Sequence, residues 1–326
     1  EVVLKESRFE SSVELYGDGA IGYLHLHSFY QDPKSSSAQD LANTIDQMKR
    51  DHQLKGVILD LRSNAGGLLP QAVAVAGLFI HKGIVVSIKN GNGDIQHLRH
   101  IEDTVNWEGP LVILINRASA SASEIVAQTL QDYGRAIIVG DPESYGKGSY
   151  QTFTLEHGDR AKVNPQGEYK VTQGMYYTVS GDSPQLKGVK PQIVVPGIFS
   201  EMELGERFAK YPLENDHIHP NFEDNLLDVP LIHREQVARL YKFNLQEKLS
   251  FYDPFLEPLK QNSTMRIQTN KNYQHFLTEI KLKEDGDYEA YDKFGKNDLQ
   301  KEETINIMKD LIFLIDEMNT SYPQAA

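Results

Sequence analysis

Three short segments carry the side chains best suited to nucleophilic chemistry. The first is Ser119-Ala120-Ser121-Ala122-Ser123-Glu124, small residues placed where the apolar run Leu111–Ile115 gives way to a helical pattern. A serine at such a turn stands beside unpaired helix N–H groups and the positive end of the helix dipole, which favour an alkoxide or a tetrahedral oxyanion. Ser121-x-x-Glu124 is equally a capping box, and taken alone the motif reads more readily as a cap than as a nucleophile. The second segment, Tyr145-Gly146-Lys147-Gly148, offers a base. A lysine kept neutral by burial takes a proton from a serine hydroxyl. By itself Gly-Lys-Gly is an ordinary surface turn. The third, Arg62-Ser63-Asn64-Ala65-Gly66-Gly67, closes another apolar run, and its glycines let backbone N–H groups approach a ligand. It too is satisfied by a plain strand-to-helix turn.

Other chemistries find little support. None of the eleven histidines lies in a Ser-His-Asp motif, and no G-x-S-x-G elbow is present. The absence of cysteine removes thiolate nucleophiles, disulfides and cysteine metal sites. Asp216, His217 and His219 lack a metal-binding spacing and read as solvated loop. His25 and His27 alternate with Leu24 and Leu26, the pattern of an exposed strand face. Gly91-Asn92-Gly93 reads as a hairpin turn and not a phosphate loop. Neither a metal nor a cofactor is expected. Tyr176-Tyr177 fits a strand core or a peptide-facing surface equally well.

The elements that must position these groups follow from hydrophobic periodicity. Apolar or alternating runs at 20–30, 56–61, 84–89, Leu111–Ile115 and 136–139 predict strands; helical spacing at 39–52, 70–79 and 121–133 predicts helices between them. Helices between apolar strands point to βαβ units and a largely parallel sheet. From about 150 to 197 the pattern shortens into strands separated by Gly and Pro turns. Beyond Pro196 it becomes charged and helical, with amphipathic stretches at 234–248, 273–282 and 299–318. The expected division is a catalytic core over 1–199 and a helical domain over 200–326. At 326 residues and 40% hydrophobic, the chain can bury a substantial core. The net charge of −13 argues against a broad surface for nucleic acid. The longest apolar stretch, 72–80, is too short to cross a bilayer. Opening at Glu1 with no Met and no signal-like segment, the chain reads as a mature form or a fragment.

In combination and in this order, DLRSNAGG at 60–67, NRASASASEIVAQTLQDYGRA at 116–136 and YGKGSYQ at 145–151 resemble the C-terminal processing peptidases, with a close match to their tail-specific branch. LKGVKPQIVVP at 186–196 and the helical tail fit the same resemblance. It implies an α/β fold, a crotonase/ClpP-like αβ protease core with a small β-rich part and a helical C-terminal extension. It also implies a serine endopeptidase in which Ser121 is the nucleophile, Lys147 the general base and Gln151 the residue that orients the lysine. The backbones of Gly67 and Ala122 would form the oxyanion hole, Asp132 would support the site, and Glu124 would act as a cap. Polypeptides engaged by their C-terminal tails are the implied substrates, and the periplasm or another exported location the implied setting.

Two departures from that pattern stand out. Asp141–Tyr145 is one residue longer than the usual spacing before G-K, so the Lys147 loop should bulge. Residues 1–30 are too short for the peptide-binding PDZ domain of relatives. Lys147 and Gln151 would lie about 13 Å apart in an extended strand, so their pairing requires a bend, for which Gly148 is the natural place. Two alternatives remain: a non-catalytic peptide-binding or chaperone protein on the same scaffold, and a crotonase-like enzyme acting on small thioesters. The second lacks an identifiable nucleotide pocket.

Overall fold

The computed structural model describes residues 8–153, 170–282 and 298–321. The stretch 154–169, part of the expected β-rich region, lies outside the described residues. The chain forms β1 (Phe9–Tyr16), β2 (Gly19–Leu26), α1 (Ser37–Asp51), β3 (Leu54–Asp60), α2 (Leu69–Gly77), β4 (Gly83–Asn90), β5 (Ile95–His100) and β6 (Leu111–Ile115). There follow α3 (Ala122–Asp132), β7 (Ile137–Gly140), β8 (Ser149–Phe153), β9 (Lys170–Tyr177) and β10 (Ile193–Val194). The C-terminal part is helical: α4 (Leu231–Tyr241), α5 (Asp253–Thr269), α6 (Lys271–Leu282) and α7 (Leu299–Ser321).

Six strands build the main sheet in the order β1-β2-β3-β6-β7-β10. Every neighbouring pair is parallel except β1 with β2, which form an antiparallel hairpin at the edge. The parallel strands are apolar on both faces, as expected for a sheet covered on both sides. Alternation along each strand sorts the core into two layers. Leu24, Leu26, Val57, Leu59, Leu111, Ile113 and Ile138 face α1, α2 and α3. Ile21, Tyr23, Ile58, Val112, Leu114, Ile137 and Val139 face α5, α6 and α7. A second sheet, β5-β4-β9-β8, is antiparallel throughout. The α/β core, the small β-rich part and the helical extension expected from the sequence are all present.

Residues before and after 200 differ in composition but meet on one apolar layer: Leu259, Ile307, Met308 and Leu311 are fully buried with the sheet residues of that face. Two elements lie outside the periodicity argument. β1 is an edge strand with four of its eight residues exposed and none fully buried, so it shows only a weak apolar face in the sequence. α5 carries Pro258 in its interior, which ordinarily argues against a helix. Its buried residues Phe255, Leu259, Ser263 and Ile267 fall at strict four-residue spacing, and packing of that stripe on the sheet offsets the lost backbone hydrogen bond.

If the helical segment completes the core in this way, Leu259→Ala should destabilise the whole chain by about 2–5 kcal/mol in a single urea transition. A loss below about 1 kcal/mol, or a separate early transition for the helices, would contradict a shared layer.

Candidate active site

Three neighbouring strands end side by side, and the loops after them carry the three segments singled out from sequence. β3 runs into 61–68, β6 into 116–121 and β7 into 141–148. The carboxyl ends of parallel strands are the usual binding edge of an open α/β sheet.

Side-chain-to-backbone bonds lock the first two loops together. Asn116 accepts from the Ser63 N–H through its Oδ1 at 2.8 Å and donates to Ser63 Oγ at 3.2 Å. The Asn64 carbonyl accepts from the Ala120 N–H at 3.0 Å and from Ser123 Oγ at 2.8 Å. Ser119 Oγ donates to the Leu61 carbonyl at 2.8 Å. Asn64 itself folds the Gly turn by accepting from the Gly66 N–H at 2.8 Å, and it donates to the Leu26 carbonyl at 2.8 Å. Gly66, at φ +104°, lies so close to the serine turn that a Cβ would sit 2.8 Å from Ser121 Cβ and 3.0 Å from the Ala122 nitrogen.

Ser121 is the N-cap of α3 and takes φ 58°, ψ −115°, a conformation that a non-glycine residue rarely adopts. A strained serine at a strand-to-helix turn presents its hydroxyl at the sheet edge, as in nucleophile elbows. The Gly67 and Ala122 N–H groups, the two expected oxyanion donors, have no acceptor among the described residues.

The third loop is tied to the serine turn through Glu124, a fully buried carboxylate. Its Oε2 accepts from the Ser121 N–H at 2.8 Å and the Lys147 N–H at 2.9 Å. Its Oε1 accepts from Ser144 Oγ at 2.5 Å and the Gly146 N–H at 2.6 Å. Burial pushes its pKa up to about 7 against the pull of these four donors. The capping box expected from sequence is present, but the carboxylate also reaches across to the Lys147 loop. The 141–148 segment is held by further backbone bonds, from the Ser144 N–H to the Val189 carbonyl at 3.1 Å and from the Tyr145 N–H to the Ser119 carbonyl at 3.0 Å.

Lys147 has a lowered pKa, chiefly through burial and then through the nearby Lys170 charge, with Glu206 and Glu124 opposing. Among the described residues its Nζ makes no hydrogen bond, to Ser121 or to any other group. Glu124 thus joins the two backbones while the side chains stay apart. Gln151 donates to Ser149 Oγ at 3.0 Å and has no bond to Lys147. The irregularity in β8 falls between Tyr150 and Gln151, whereas Gly148 is held by Gln185 through its N–H at 2.8 Å. Asp132 ties the end of α3 to the turn after β9, accepting from Thr178 Oγ1 at 2.5 Å and the Ser180 N–H at 3.3 Å, and burial raises its pKa.

Tyr176, left open between core and surface, belongs to the buried core and to the site. Its phenol donates to the Lys147 carbonyl and lies against the Ser121 hydroxyl. Its N–H donates to the Gly148 carbonyl at 2.9 Å. Strand alternation alone does not reveal this role, because Tyr176 and Tyr177 are both buried. His217 and His219 are exposed, and Asp216 pairs with Lys89 at 2.6 Å.

The sequence profile of peptidase family S41 matches residues 20–195, more than half of the chain and all three loops. The chain belongs to peptidase family S41. It is 39% identical over 195 residues to a carboxy-terminal-processing protease of Bartonella bacilliformis, covering 60% of this chain and 42% of that protein. It is 31% identical over 268 residues to a tail-specific protease of Haemophilus influenzae, covering 79% and 36%. The S41 chain therefore spans less than half the length of these two curated relatives. Among solved structures, a photosystem II D1 C-terminal processing protease aligns with TM-score 0.48 and 26% identity, over 60% of this chain and 49% of that one.

The contact between the Gly66 loop and the serine turn predicts that Gly66→Ala destabilises the fold by about 1–3 kcal/mol. Gly91→Ala, where a Cβ meets nothing within 4 Å, should stay within about 0.5 kcal/mol of wild type. Equal denaturation midpoints for the two variants would contradict the close approach.

Proposed function

We propose that this chain is a serine endopeptidase of the C-terminal processing type, acting through a Ser121–Lys147 acyl-enzyme mechanism. The observation that carries the reading is the Glu124 carboxylate, which anchors the strained Ser121 turn and the Lys147 loop on one oxygen. Family membership supports the reaction class. In the proposed mechanism neutral Lys147 takes the Ser121 proton as Oγ attacks the scissile carbonyl. The Gly67 and Ala122 N–H groups stabilise the developing oxyanion. Water then hydrolyses the acyl-enzyme, with Lys147 again carrying the proton. The amine reaches the hydroxyl when substrate fills the edge and displaces Ser121 from the Tyr176 phenol. Gln151 orients the lysine in that closed state and Asp132 braces the end of α3.

The proposed substrates are unfolded polypeptides or proteins presenting C-terminal tails, a proposal supported by the similarity to a carboxy-terminal-processing protease and a tail-specific protease. An exported, periplasmic site of action belongs to the same proposal; no described helix is long and apolar enough to cross a membrane. The proposed units are a catalytic core, 1–199, and a helical domain, 200–326, completing its core. One observation favours the alternative of a non-catalytic peptide-binding or chaperone protein: the missing hydrogen bond between Ser121 and Lys147.

Digestion of casein separates the readings. Wild type should cleave it, and Ser121→Ala should lower kcat/KM by at least about a thousandfold. Cleavage unchanged in Ser121→Ala would overturn the nucleophile, and binding without cleavage by wild type would favour the chaperone reading.

The pH profile tests the base. Only neutral Lys147 accepts a proton, so kcat/KM should rise with pH and level off above an apparent pKa below the ordinary lysine value of about 10.4. Protonation of Glu124 below about 7 depresses activity in the same direction. A rate independent of pH from neutral to alkaline conditions would exclude the lysine base.

A further inference from the structure

We propose that Glu10, His25 and His27 form a binding site for one divalent transition-metal ion of the zinc type, separate from Ser121 and Lys147. His25 and His27 are two apart on β2 and its extension, so both project to one face. Glu10 is the direct cross-strand partner of His25 on β1. The pairing continues one step past β2, where the His27 N–H donates to the Arg8 carbonyl at 3.2 Å. One candidate ligand atom from each of the three side chains lies within 4.8 Å of the other two.

The geometry needs little adjustment. Ligand bonds of about 2.0–2.1 Å in a tetrahedron place ligand atoms about 3.3 Å apart. Glu10 Oε1 is already 3.5 Å from His27 Nε2, and the imidazole centroids are 4.1 Å apart with planes tilted by 55°. All three side chains keep some solvent exposure, so rotation about their χ angles closes the remaining gap. His27 Nε2 is shielded from solvent and makes no hydrogen bond in the described structure, leaving a buried polar atom aimed at a carboxylate. On the other imidazole, His25 Nε2 lies 3.4 Å from the Arg62 carbonyl. A proton on Nε2 facing that carbonyl leaves Nδ1 as the lone-pair nitrogen, the outer-shell arrangement that fixes a metal-binding tautomer.

Neighbouring charge does not oppose a cation. The Arg62 guanidinium is held by Asp60 at 2.7 Å and Asp298 at 2.6 Å, and Arg8 is paired with Asp32. Two imidazoles and one carboxylate select zinc, cobalt, nickel or copper over calcium or magnesium, which prefer all-oxygen shells. A bound ion would pin the edge strand β1 to β2, just before Phe29 brackets the Gly66–Gly67 turn by accepting from Leu68 and donating to Gly66. The alternation suggests an exposed strand face, whereas both imidazoles are half-buried, and Glu10 is brought in from the preceding strand.

Titration of the full chain with zinc chloride against a chromophoric chelator tests the proposal. One ion per chain should bind, and the melting temperature should rise with zinc. His27→Ala and Glu10→Gln should each weaken binding by at least about tenfold and remove the thermal shift, while His217→Ala should leave both unchanged. Unchanged affinity in the His27 and Glu10 variants, or no binding by wild type up to about 100 µM zinc, would overturn it. Should a variant fail to fold, anomalous scattering at the zinc edge from wild-type crystals decides: a peak among the three side chains supports the site, and its absence there refutes it.

Discussion

The Glu124 carboxylate is the contact on which the arrangement of the sheet edge depends. A buried carboxylate is costly unless its lone pairs are used, and here each oxygen accepts two donors. The converse matters as much. Removing it would leave the Ser121, Gly146 and Lys147 N–H groups and the Ser144 hydroxyl without their acceptor in a buried place. One side chain therefore ties the turn into α3 to the loop after β7, segments separated in sequence, alongside the bond from the Tyr145 N–H to the Ser119 carbonyl. Desolvation outweighs the four donors, so the carboxyl is pushed up to about 7.

Around that point the rest of the structure behaves as support. β3, β6 and β7 deliver three loops to one edge, and Asn64 and Asn116 stitch the first two together. Arg62 spans from that edge to Asp298 at the head of α7, so the helices that cover the far face of the sheet also brace the glycine loop. Strain at Ser121 is tolerated because bonds on both sides of the residue over-determine its position.

Much of this was legible in the sequence because its determinants are local. The apolar runs of β3 and β6, the helical spacing of α1 and α3, and the Ser-x-x-Glu cap depend on near neighbours. α5 was hidden by Pro258, and β1 by having no fully buried residue. The site divides in the same way. Ser121, Lys147 and the Gly66–Gly67 turn stand out by residue type and position, and the fold brings their loops to one edge. The second reach of Glu124, to a loop more than twenty residues away, has no signature at its own position. Tyr176 likewise joins the site through a register across sheets. Gln151 shows the converse: the family resemblance implies a partner in Lys147 across a bend, whereas its amide donates to Ser149 Oγ.

The central question is whether the carboxylate of Glu124 positions the proposed pair, Ser121 and Lys147. Glu124→Gln keeps the size of the side chain but replaces one acceptor oxygen with a donor facing N–H groups. Kinetics of this variant with casein, beside circular dichroism to verify its fold, is the most direct measurement. The account predicts a kcat lower by about a hundredfold with KM little changed, since misplacement by about 1 Å costs that much. A folded Glu124→Gln protein with kcat within about twofold of wild type would contradict it.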